Sequence, residues 1–144
     1  MQESARDKIN FKKRKNMIFI PGNITSSKNS KRIIRSKKSG LLLIIDSKAT
    51  AAYKRHSVEA WKAYREDFLR MCKGKPKPLH ILFSFVRQDK RKFDFVNMLQ
   101  LPLDCMVQYG WIEDDDYLNI VPVINPEVKF DKQHPGLWIS NYKL

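Results

Sequence analysis

The chain has 144 residues, 28 Lys and Arg against 15 Asp and Glu, and a formal net charge of +13, with 42% hydrophobic and 11% aromatic residues. This length bounds the protein to one domain with a real core, and the apolar content excludes wholesale disorder. Charge of this size and sign points to nucleic acid, whose counterions are released when Lys and Arg neutralise phosphates; a basic surface kept for solubility and an anionic membrane are the rival readings.

Residues 1 to 16 carry Arg6, Lys8 and the run Lys12-Lys13-Arg14-Lys15 with almost nothing to bury, so they read as a flexible basic arm ahead of a single domain over 17 to 144. The arm lacks the large apolar residues of a membrane-inserting face. Met17-Ile18-Phe19-Ile20 reads as a strand closed by Pro21-Gly22, too short for a signal-peptide core, and Met17 is an alternative start of translation. No segment approaches the roughly 20 apolar residues of a membrane helix, and a cytoplasmic protein is expected.

Asn23 to Lys31 is a polar loop. Lys31 to Arg35 and Leu41 to Ile45 then bracket a basic turn and predict a hairpin, whose second strand is apolar on both faces and therefore expected in the middle of the sheet. Ser47 is placed to cap a long helix to about Lys73, with Trp61, Tyr64, Phe68 and Met71 as its core stripe. After Lys75-Pro76-Lys77-Pro78, the alternation of Leu79, Ile81, Phe83 and Phe85 predicts a strand, with His80 on its opposite face. Residues 87 to 92 form a basic turn, 95 to 109 a helix stopped by Gly110, Tyr117 to Val123 a strand, and Leu137-Trp138-Ile139 an edge strand. The expected fold class is α/β (α+β), a small mixed sheet with two main helices and no internal repeat. Cys72 and Cys105 have no partners at zinc or disulfide-framework spacing.

Two features bear on chemistry. Asn97, Gln100, Asp104 and Gln108 are spaced by 3, 4 and 4 residues and line one side of an otherwise apolar helix. Such a helix is buried broadly, with a twin across a dimer axis as one source of cover, and its stripe either borders a polar cleft or faces water. The second feature is Glu113-Asp114-Asp115-Asp116, four successive carboxylates in a basic protein. They form either a solvated acidic turn or a set of hard oxygen donors suited to magnesium or manganese.

The stretch Lys90 to Asp116, KRKFDFVNMLQLPLDCMVQYGWIEDDD, resembles the RusA family of Holliday-junction resolvases. Members carry a basic run, Asp-x-Asp-Asn opening a helix, a Lys three residues after that Asn, a later helical Asp, and an aromatic-containing turn ending in Asp-Asp. Ile20-Pro21-Gly22 and Ser26 to Lys31 are similar to the family's first strand and polar loop, so the resemblance covers roughly residues 17 to 140. It implies a RusA-like fold, a homodimer, four-way-junction DNA as partner, and magnesium (Mg2+) or manganese (Mn2+) as cofactor. The reaction implied is phosphodiester hydrolysis in DNA recombination and repair, in a bacterial or phage-infected cell.

Carried over by position, the resemblance makes Asp94, Asp115 and Asp114 metal ligands, with Asp104 as a further catalytic carboxylate and Asn97 and Gln100 in support. Lys28, Lys31, Arg32, Arg87, Lys90, Arg91 and Lys92 become the DNA-binding set, extended by Lys37 and Lys38. Two positions depart from the pattern: Val96 stands at the second Asp and Gln100 at the Lys. Glu113, Asp116 or Asp104 could supply the missing carboxylate. A helix of about 15 residues is roughly 22 Å long, which puts Asp94 and Asp115 at opposite ends unless the helix kinks at Pro102 or two subunits pair antiparallel. A junction-binding protein without catalysis, and a basic module for RNA or an acidic partner, are the alternatives.

Overall fold

The computed structural model describes residues 16–26 and 31–143, which form a mixed α+β fold of three helices and two sheets. In chain order the elements are β1 (Met17–Pro21), β2 (Lys31–Arg35), β3 (Leu42–Asp46), α1 (Lys48–Ala63), α2 (Arg65–Met71), β4 (Leu79–Arg87), α3 (Phe95–Gln108), β5 (Ile120–Ile124), β6 (Lys129–Phe130) and β7 (Gly136–Asn141). The arm expected over 1 to 16 lies outside the described residues save Asn16, and so does Lys28. Among the described residues no helix is long and apolar enough to cross a membrane.

The main sheet runs β1-β7-β4-β5, with β6 pairing the far end of β4. β7 is antiparallel to both β1 and β4, whereas β5 and β6 are parallel to β4. A parallel neighbour needs a crossover, which α3 and the acidic loop after it supply between β4 and β5. The period of two in β4 holds: Ile81, Phe83 and Phe85 are buried, and register sets Phe83 beside Ile139 and Phe85 beside Leu137. Ile18 and Ile20 of β1 complete this inner face, and the helices cover it with Trp61, Phe68, Met98 and Met106 in one apolar cluster. Phe19 and Trp138 pair on the outer face, ring centroids 4.8 Å apart.

Four expectations are corrected. The strand at Leu137-Trp138-Ile139 is internal, because β7 finds partners on both edges. The hairpin's apolar second strand is not central: β2 and β3 form a separate two-stranded ribbon. The long helix is interrupted at Tyr64, whose backbone (φ −92°, ψ 1°) leaves the helical basin. Trp61 and Phe68 remain fully buried while Tyr64 turns outward, 39% exposed, and this makes three helices rather than two. Finally, the strand expected from Tyr117 begins at Ile120, because Asp116 Oδ1 accepts from the N–H groups of Leu118 and Asn119 and holds those residues in a turn.

Candidate functional site

α3 begins at Asp94, whose side chain accepts from Val96 N at 3.0 Å and caps the helix. It ends in a Schellman motif: Trp111 N donates to Met106 O at 2.8 Å and Gly110 N to Val107 O at 3.2 Å, with Gly110 at φ +75°. Between these ends Met98, Leu99, Leu101, Leu103, Cys105 and Met106 are buried within the one chain, so the apolar breadth of α3 requires no twin. Gln100, Asp104 and Gln108 are exposed and Asn97 half-buried, as the stripe predicts.

The path of the acidic loop is the feature that the sequence did not reveal. Trp111 is held between Trp61 and Phe68, with ring centroids 5.0 and 4.9 Å away, and its Nε1 donates to Trp61 O at 2.8 Å. Beyond this anchor the chain returns alongside α3. Asp115 reaches Gln100, whose Nε2 donates to Asp115 Oδ2 at 3.4 Å and to Asp104 Oδ1 at 2.8 Å. Gln100 lies six residues after Asp94, about 9 Å of helical rise rather than the full length. Asp115 is thus drawn toward the first half of the helix in the same subunit, with Pro102 inside α3.

The other acidic residues have structural partners. Asp114 Oδ1 accepts from Asp115 N at 2.8 Å, Asp116 closes the turn into β5, and Glu113 lies 3.8 Å from Lys77 Nζ. Among the described residues no group of three His, Cys, Asp or Glu side chains is gathered to hold a metal ion. Asp104 and Asp115 are hard oxygen donors that share the Gln100 amide as their hydrogen-bond donor, and two carboxylates with water and phosphate completing the shell are a set that magnesium takes once that amide turns aside. Of the metal ligands implied by the resemblance, Asp94 caps α3 through Oδ1 and Asp114 accepts from Asp115 N, while Val96, at the family's second Asp, is exposed.

The basic residues divide by exposure. Arg87 is turned inward, its side chain 12% exposed, stacked 4.5 Å over Phe93 and donating to Met98 Sδ at 3.5 Å. Its Nε finds no acceptor among the described residues. Lys90 lies 5.7 Å from the Phe130 ring, while Arg91 and Lys92 project outward. Lys31 pairs with Asp46, and Arg32 Nε donates to Asp46 O at 3.3 Å, so both help hold the hairpin. A cavity of about 510 Å³ lies beside these residues, bounded by Thr25, Ala49, Arg87, Lys92, Asp94 and Asn97. It brings together the first loop, the start of α1, the end of β4 and the start of α3.

Lys54 was missed in the sequence. It lies 2.8 Å from Asp46 Oδ2, and this pair together with Lys31 draws the Asp46 carboxyl below its ordinary range. The Asp46 carboxylate in turn raises the Lys54 ammonium above its ordinary value. Only a lone Asp ahead of the Ser47 cap marks the place in the sequence. Cys72 and Cys105 are free and buried, and burial pushes their thiols up to about 11 and about 12. No protein-family model matches the chain, and no curated protein matches it.

Proposed function

We propose that this protein is a RusA-like, structure-specific DNA endonuclease that acts as a homodimer on four-way junctions. The observation that carries the reading is the approach of Asp115 to α3: this loop carboxylate, selected by the resemblance, lies within hydrogen-bond reach of Gln100, which also holds Asp104 one turn further along the same exposed helix face. Asp94 and Asn97 line the cavity at the start of α3 with Arg87 and Lys92.

Asp104 and Asp115 would hold a magnesium ion, with Asp94 and Asp114 nearby along the helix and loop. When bound, the ion supplies polarisation of the phosphate and a lowered pKa for water. Gln100 keeps the two carboxylates side by side. Arg91 and Lys92 bind phosphates from the turn beside α3, fixing the position of the strand rather than reading bases. Arg87, locked over Phe93, presents a fixed positive charge at the cavity wall.

One observation favours a second reading, a junction-binding protein without catalysis. The Gln100 amide stands between two carboxylates where the family carries a charged Lys, and Val96 replaces an Asp. The deciding experiment is cleavage of a synthetic four-way junction with and without magnesium. The endonuclease reading expects paired symmetric nicks that fall at least about 100-fold in Asp115→Asn, the scale of a lost catalytic electrostatic contact. Tight binding with no nick at any magnesium concentration selects the second reading.

A further inference from the structure

The ribbon β2–β3 exposes apolar side chains that a folded body ordinarily hides. Its register places Ile33 opposite Ile44 and Arg35 opposite Leu42, so Ile33, Ile44 and Leu42 share one face, where they are 68%, 74% and 64% exposed. Ile34 and Leu43 lie opposite each other on the second face and are also exposed. Five-residue strands extend roughly 17 Å, and a lone hairpin of this kind is marginally stable unless something packs against it. The ribbon is tied down at its base, where Asp46 accepts from Lys31 and Lys54 and Ser47 caps α1.

Charge identifies what covers it. Lys31, Arg32, Arg35, Lys37 and Lys38 stand along β2 and its turn, all exposed, against the single carboxylate of Asp46. A second copy docked on this face would bring the same cations together, whereas DNA offers phosphates to them and base planes to the aliphatic side chains. Aliphatic wedges between base steps, flanked by Arg and Lys on phosphates, are an established mode of DNA distortion. The position agrees, because the base of the ribbon adjoins Ala49 on the rim of the cavity that Asp94 and Asn97 line.

We propose that the β2–β3 ribbon is a DNA-inserting arm: Leu42, Ile44 and Ile33 pack against unstacked bases at a branch point while Arg35, Lys37 and Lys38 hold the flanking phosphates. This inference rests on the nucleic-acid reading above and deepens it. The test uses the full chain without magnesium, a four-way junction carrying 2-aminopurine at the crossover, and a linear duplex of equal length. Wild type raises the fluorescence as the base unstacks. Leu42→Thr/Ile44→Thr, a pair that keeps β-propensity on an exposed ribbon, retains duplex affinity within about threefold but loses the fluorescence rise and about tenfold of the junction preference, the scale of one mismatched base step. Lys37→Ala/Lys38→Ala weakens both DNAs alike.

An unchanged fluorescence rise in Leu42→Thr/Ile44→Thr overturns the proposal. So does conversion of a DNA-free dimer to a monomer by the same substitutions in sedimentation velocity, since the face would then be a subunit contact. Failure of wild type to bind either DNA at low salt removes the nucleic-acid reading itself. Junction binding with a wild-type rise, followed by no nicking when magnesium is added to the same complex, leaves the arm standing and removes only the nuclease.

Discussion

Asp46 closes the base of the hairpin with two cations at once, Lys31 from the strand and Lys54 from α1. Because both partners favour its ionised form, its carboxyl titrates below the ordinary 3.8. A folded value lower than the unfolded one means that the contribution is fully present above about pH 4 and is lost as the pH falls through the folded value. Asp46→Asn is therefore expected to lower the melting temperature by roughly 2–4 °C at pH 7, the scale of a partly exposed ion pair, with the two melting curves converging as the pH drops below 3.8. Side-chain roles of this sort were only half legible in the sequence. The stripe of Asn97, Gln100, Asp104 and Gln108 was readable because helical geometry fixes which residues align. That Asp115 meets the stripe was not, because a loop's path depends on where Trp111 is anchored, and its indole docks against residues 43 and 50 positions earlier in the chain.

At the scale of elements, β7 has the most demanding environment. Gly136 pairs with Pro21 on one side and Val86 on the other, and a Cβ added there would lie 2.3 Å from Phe19 Cζ and 2.6 Å from the Ile20 carbonyl oxygen. The second contact is with backbone inside a paired strand and cannot rotate away. Gly136→Ala is accordingly expected to cost about 2–3 kcal/mol or more, read from chemical denaturation, whereas Gly40→Ala at the open hairpin tip costs less because its added methyl meets nothing and only its φ of +70° resists. Periodicity identified β4 and α3, which have clean patterns of two and 3.6, whereas β1 and the hairpin were legible as short apolar runs bounded by turn residues. It misplaced β3 and β7 for a common reason: strand order is a property of pairing, and neither apolarity nor position along the chain encodes it. A doubly apolar strand can be an exposed arm, and a late strand can fill the middle of a sheet.

For the whole molecule, charge sets the prediction. If Arg35, Lys37, Lys38, Lys90, Arg91 and Lys92 are the exposed cations that meet phosphate, the logarithm of duplex affinity should fall against the logarithm of salt concentration with a slope near about −5.4, about 0.9 for each of these contacts. Arg91→Ala/Lys92→Ala should reduce that slope by about 2 in filter-binding or anisotropy titrations, and an unchanged slope would place the DNA path elsewhere. The order of the strands has a further consequence, in time rather than in space. Between β1 and β4 there is no direct pairing in the main sheet; β7 joins them, and its residues follow those of every other element. As the chain is synthesised, β4, α3 and β5 can associate early, but β1 must wait for residues 136–141. The closing step joins segments more than 110 residues apart, the kind of long-range contact that slows folding. Until that step, the inner face of β1 has no strand beside it, and the basic hairpin and α1 hang from an unfinished sheet.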